Sequence, residues 1–162
     1  IRTDAGADSV NKIKITSSNI TDNKKVVFSG GSMDITIDGG TFENNDGGLI
    51  YAWRQYNTGS VVTINGGTFK NNSAKNGGVI SSSGSTVTIN GGNFENNSAT
   101  DKGGVIYNST AESRVYLYGG YFADNTANGS LNDIYNKADA SIDLNIGSAK
   151  NFSLHGGVSP GG

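Results

Sequence analysis

The sequence predicts an all-β fold: a right-handed, single-stranded parallel β-helix of about five to six coils, each with three short strands. Three observations carry that expectation. The first is a repeat. Phe42-Glu43-Asn44-Asn45, Phe69-Lys70-Asn71-Asn72, Phe94-Glu95-Asn96-Asn97 and Phe122-Ala123-Asp124-Asn125 recur with their final asparagines 27, 25 and 28 residues apart, a period that marks a solenoid or array. The second is composition. The 162 residues hold 25 glycines and one proline, Pro160, about twice the ordinary glycine share, and no stretch keeps apolar residues at helical spacing over three turns. The third is rhythm. Each unit of about 25 residues has three strand-like segments between Gly/Asn/Ser-rich breaks, which fits one coil stacked on the next at about 4.8 Å.

The first strand of each coil is a short alternating run whose two aliphatics share one face: Ile13/Ile15, Ile35/Ile37, Val62/Ile64, Val87/Ile89, Val115/Leu117 and Ile142/Leu144. A glycine pair (Gly39-Gly40, Gly66-Gly67, Gly91-Gly92, Gly119-Gly120) then turns the chain. The second strand contributes one inward residue per coil, the ladder Ile20, Phe42, Phe69, Phe94 and Phe122. A second glycine pair precedes the third strand, for which the inward row reads Val27, Ile50, Ile80, Ile106 and Ile134. Residues 12–32 fit a degenerate first coil, 33–140 four main repeats, and 141–162 an irregular last coil and tail. One coil cannot bury its own apolar face, so the whole chain reads as one elongated β-helix domain. The start is no signal peptide and Val158–Gly162 reads as a linker; the chain is expected to be an excised segment of a larger surface protein.

Asn23, Asn45, Asn72, Asn97 and Asn125 close every FxxN-type motif. Asparagine tolerates left-handed backbone angles, and its amide can bond the amide one coil away. A structural ladder explains the row without a ligand.

Short FxxN motifs followed by Gly-Gly-aliphatic pairs (Phe42/Gly48-Leu49-Ile50, Phe69/Gly78-Val79-Ile80, Phe94/Gly104-Val105-Ile106) resemble the repeats of chlamydial polymorphic outer-membrane proteins. The likeness covers about residues 12–136. In a fourth copy Ser130-Leu131-Asn132-Asp133-Ile134 replaces the glycine pair and its aliphatics. The resemblance implies an autotransporter-like adhesin passenger with a parallel β-helix, secreted to the outer membrane or cell wall. Its partners would be a host or neighbouring-cell surface protein or glycan, or further copies of itself. Such repeats are mainly architectural and identify no receptor.

Other function classes fare worse. Polysaccharide cleavage on a β-helix needs carboxylates about 5–10 Å apart, or bound calcium with a base. Glu43 and Glu95 share a position two coils apart with Lys70 between them, which reads as an alternating-charge ladder. His155, the one histidine, has no recognisable partner motif. No catalytic residue, metal site or cofactor is therefore expected. There is no cysteine for a disulfide or thiolate site. A net charge of −2 without a basic stripe gives no reason to expect nucleic acid, and no apolar run is long enough to span a membrane. The outward row Thr36, Thr63, Thr88 is broken by Lys14, Tyr116 and Asp143, so an ice-binding face is disfavoured.

Strand alternation leaves the neighbours of the inward third-strand residues pointing out. On one side these are Phe28, Tyr51, Ser81, Tyr107 and Tyr135; on the other, Val26, Leu49, Val79, Val105 and Asp133. Beside them lies the irregular turn Trp53-Arg54-Gln55-Tyr56. Exposed aromatics with arginine are favoured contact anchors. Phe28, Leu49, Tyr51, Trp53, Arg54, Tyr56, Tyr107 and Tyr135 are thus the expected binding face of an adhesin-like module. The alternative is a structural stalk or self-assembling fibre.

Overall fold

The computed structural model describes residues 2–4, 10–137, 139–144, 152–154 and 156–160. They form a parallel β-solenoid of about five turns, without a helix among them. The first sheet stacks Asn11–Ile15, Met33–Ile37, Val61–Ile64, Thr86–Ile89, Arg114–Leu117 and Ser141–Leu144. The second stacks Asn19–Thr21, Thr41–Glu43, Thr68–Lys70, Asn93–Glu95, Gly120–Ala123 and Phe152–Leu154. The third runs from Arg2–Asp4 through Phe28–Gly31, Ile50–Trp53, Ile80–Ser83, Ile106–Asn108 and Ile134–Asn136 to Val158–Pro160. Val158–Pro160, which its Ser-Pro-Gly composition marks as linker, instead pairs parallel with Ile134–Asn136.

A fourth, smaller sheet was not foreseen. Ser73–Asn76, Ser98–Lys102 and Thr126–Ala127 pair in parallel, and Ser130–Leu131 folds back antiparallel on the last of them. These strands fill the connection between the second and third sheets. Their composition is Ser, Ala, Thr and Lys, with no alternating apolar pattern to announce them.

In the first two sheets the rungs fall where the pattern puts them. Val62 pairs with Ile35 and Val87, and Ile64 with Ile37 and Ile89. Phe42, Phe69, Phe94 and Phe122 pair in succession and are wholly buried. Their rings stack nearly parallel, with centroids 4.8, 4.7 and 4.6 Å apart. The rung spacing therefore sets the ring spacing, and each ring fills the gap between its neighbours. The ladder thins at the N-terminal side, where Ile20 is only half-buried.

The corner after the second strand divides its work between two adjacent residues. The left-handed backbone belongs to the residue before the ladder asparagine: Asp22, Asn44, Asn71, Asn96 and Asp124 have φ of 59, 55, 53, 54 and 55°. Asn and Asp tolerate that region better than other side chains. The ladder asparagines themselves, fully buried from Asn45 to Asn125, serve hydrogen bonding alone. Asn72 spends all four bonds of its amide. Its Oδ1 accepts from the Asn45 backbone N–H and from Asn45 Nδ2; its Nδ2 donates to Phe42 O and to Asn97 Oδ1. Asn97 repeats the pattern toward Asn125.

The third sheet corrects the sequence reading in two ways. Leu49, Val79 and Val105 do not point outward; they are completely buried beside Ile50, Ile80 and Ile106. The cause lies in the backbone. Leu49 N–H and Ile50 N–H both donate to Val79 O, at 3.0 and 2.8 Å, and Val79 and Ile80 likewise converge on Val105 O. The chain turns there as two residues oppose one, as in a β-bulge, so consecutive side chains both face the core. Second, Phe28 pairs with Ile50 and is buried at 1% exposure. Phe28 takes the inward place of Ile50, Val27 before it packs half-buried against the core in the place that Leu49 fills in the next coil, and Ser29 takes the outward place below Tyr51.

Candidate binding face

With that register, the outward row of the third sheet reads Ser29, Tyr51, Ser81, Tyr107, Tyr135 and Ser159. Phe28 and Leu49 leave the predicted face. Tyr51 (43% exposed) and Tyr56 (66%) stand out from the surface, Arg54 is exposed, and Trp53, Tyr107 and Tyr135 are half-buried. The structure groups these residues into two aromatic clusters. Tyr51 packs on Trp53 with centroids 5.0 Å apart and planes tilted by 43°. Tyr107 stacks on Tyr135 at 5.6 Å. The Lys102 ammonium sits 4.7 Å above the Tyr135 ring, and that phenol raises the lysine pKa above its ordinary value.

Between the clusters lies Ser81, and around it a shallow groove of about 560 Å³ lined by Tyr51, Tyr107, Ser81, Ser83, Ser109 and, from the fourth sheet, Lys75 and Asn76. The fourth sheet is what turns a flat strip into a groove, because its strands form the second wall. The Asn76 Oδ1 is buried there without a hydrogen-bond partner, which costs about 1–3 kcal/mol in a protein interior.

Trp53 to Thr58 form a tight hairpin. Gln55 and Thr58 exchange both backbone hydrogen bonds at 3.0 Å. Tyr56 sits at its tip with φ of 53°. Glycine favours such a turn position, and a bulky side chain is disfavoured there by roughly 1–2 kcal/mol. An exposed tyrosine held at that cost serves no packing purpose.

Asp133, predicted on the outer strip, is instead wholly buried. It occupies the place of Leu49, Val79 and Val105, and it ends the asparagine ladder. Asn125 Nδ2 donates to Asp133 Oδ1 at 2.7 Å, and the Gly156 N–H donates to Oδ2 at 2.6 Å. Three residues beyond Leu154, the rung partner of Phe122, the ladder position carries Gly157. The chain has no asparagine there, so the carboxylate comes in from the next corner. A sequence signal existed: Asp133 breaks the aliphatic pair one coil before the ladder motif itself disappears.

Elsewhere the surface is mainly polar, with Val10, Val61, Tyr118, Tyr121, Leu131 and Leu144 also exposed. Leu144, in the last described rung of the first sheet, is not covered as the inward pattern expects. Lys14 pairs with Asp38 at 3.2 Å, and Asp38 accepts from Asn65, which accepts from Asn90. Hydrogen bonds from Asn65 and then Lys14 hold the Asp38 carboxyl below its ordinary value. Glu43, Lys70 and Glu95 occupy successive rungs, as the charge alternation predicts. Tyr116 and Tyr118 form a third aromatic pair, 6.4 Å apart, on a different face; the repeat-by-repeat reading passed over it because only one coil carries it. Among the described residues no group of His, Cys, Asp and Glu could hold a metal ion, and no helix is long and apolar enough to cross a membrane. His155 lies outside the described residues. Compared with known proteins, the chain matches no family model, and neither a curated protein nor a solved structure shows significant similarity to it.

Proposed function

We propose that this solenoid is a non-enzymatic, adhesin-like binding module of the polymorphic outer-membrane-protein type, displayed at a cell surface through parts of a larger protein. Its partner is a surface protein or glycan of a host or neighbouring cell. The observation that carries the reading is the pair of aromatic clusters on the outward third sheet, Tyr51/Trp53 and Tyr107/Tyr135, which flank an open groove. Nothing in the stacking of coils requires rings there, since Ser29, Ser81 and Ser159 fill the same row. Aromatic anchors of this kind carry most of the energy of a contact.

The second reading is a structural stalk, favoured by the unbroken interior ladders of Phe and Asn. One experiment separates the two. A Tyr51→Ala/Trp53→Ala double variant should keep the wild-type circular dichroism spectrum. Its adherence to a panel of cell surfaces, or its self-association, should fall about thirtyfold, the equivalent of about 2 kcal/mol. Unchanged adherence would leave the stalk.

A further inference from the structure

We infer that the gap at Ser81 is a slot for one pyranose ring of a glycan, held between Tyr51 and Tyr107. This rests on the binding-face reading and names the ligand class of that face.

The spacing argument comes first. Tyr51 pairs with Ser81, and Ser81 with Tyr107, so the two rings stand two rungs apart. At 4.7–4.9 Å per rung their attachment points are about 9.6 Å apart. A flat ring in contact with both walls needs only about 7–8 Å, at 3.5–4.0 Å per side. A puckered pyranose with axial C–H bonds is thicker and fills the difference. Serine at position 81 leaves the space empty, and each wall is backed by a second ring, Trp53 on one side and Tyr135 on the other.

The chemistry of the floor agrees. Ser81, Ser83 and Ser109 line the slot with hydroxyls, so its base suits a ligand with hydroxyls of its own rather than an apolar side chain. Asn76 adds an acceptor that no protein group uses; a turn of its amide about the terminal bond presents that oxygen to the groove. Among the described residues the only charged lining residue is Lys75, and no carboxylate lines the groove. Walls that take the C–H faces of a sugar and a floor that takes its hydroxyls are what a small-molecule site of several hundred Å³ requires. The slot follows the strand Ile80–Ser83 and is open to solvent along it, so a chain of sugars extends from the bound ring.

Trp53 is the single tryptophan, and its ring packs on the Tyr51 wall at 5.0 Å, so its fluorescence reports a change at that wall. Cellobiose, lactose, N,N′-diacetylchitobiose and digalacturonate are titrated separately to about 10 mM, the weak end of single-ring affinities. At least one should shift Trp53 emission saturably. Ser81→Tyr fills the slot with a residue the same row already carries at three rungs. It should retain the wild-type spectrum and melting curve and lose the response at least tenfold. Tyr107→Ala, which opens one wall, should also lose it at least tenfold, and carries the test should Ser81→Tyr fold poorly. The inference is overturned if no disaccharide changes the emission, or if a folded Ser81→Tyr responds like the parent. In either case, loss of adherence in the Tyr51/Trp53 double variant leaves the binding face standing without the slot. Unchanged adherence there removes both.

Discussion

The inside of the second-sheet corner and the outside of the third sheet lie in the same coils and obey opposite rules. Inside, four successive rungs present Phe at one position and Asn three residues on, each buried, the rings stacked rung on rung and each asparagine bonded to the next along the row. Outside, the equivalent rungs read Ser, Tyr, Ser, Tyr, Tyr, Ser. Stacking explains the difference. A buried amide has no water to fall back on, so its partner one rung away must be another amide or a carboxylate. An outward side chain meets solvent whatever its neighbour is. Uniformity therefore marks what the architecture demands, and variation marks where a coil is free to do something else.

The largest expected effect tests the inner half of that comparison. Asn97→Leu would leave the Asn72 N–H, Asn72 Nδ2, Phe69 O and Asn125 Oδ1 each short of a bond. At about 1–3 kcal/mol per stranded buried group, the loss is about 4 kcal/mol or more. Phe69→Ala should cost about 3–5 kcal/mol as a cavity, while Lys70→Ala, beside it but facing out, stays within about 0.5 kcal/mol. Urea denaturation of the three variants measures this ordering. An Asn97→Leu cost well below that of Phe69→Ala would make apolar packing, not the amides, the basis of the uniformity.

Asp133 sharpens the comparison, because there an inner position departs from the repeat. Asp133→Leu restores the side chain that Leu49 supplies three coils below, yet removes the acceptor of Asn125 Nδ2 and Gly156 N–H. A loss of about 2 kcal/mol is expected by the same denaturation, and Asp133→Asn, which keeps one acceptor, should lose less. If the leucine variant is as stable as the parent, matching the repeat matters more than ending the ladder.

The smallest effect has the opposite sign and tests the outer half. Tyr56→Gly relieves the left-handed tip of the hairpin and should raise stability by about 1 kcal/mol in thermal unfolding. In the adherence assay the same variant should bind more weakly. A gain in stability with no change in adherence would make Tyr56 an idle residue.

The first two sheets were legible because their apolar residues alternate or recur at a fixed offset from Asn, so one coil checks the next. The third sheet was not, for a physical reason. Val26-Val27-Phe28 offers three apolar residues in a row, and period-two alternation cannot choose among them. The other coils hold the answer in their paired aliphatics, Leu49-Ile50, Val79-Ile80 and Val105-Ile106: a corner turns two adjacent side chains inward, which alternation forbids. Tyr51, Trp53, Tyr107 and Tyr135 were placed on the outer side from sequence because their reading did not depend on that first coil. The groove was not, since its second wall is made by strands of Ser, Ala, Thr and Lys that carry no pattern.

The asparagine row also reads in one direction. Between asparagines, each Nδ2 gives to the Oδ1 of the next coil toward the C-terminus, from Asn23 to Asn45 through to Asn97 to Asn125. Coils are thus interchangeable but not reversible. A duplicated unit inserted between Asn72 and Asn97 would find a donor below and an acceptor above, and the rod would grow by one rung with no new chemistry to invent. Insertion beyond Asn125 finds no such vacancy, because Asp133 carries no amide to hand onward. Grammar is the apt comparison: whole clauses can be added in the middle of the sentence, and Asp133 is its full stop.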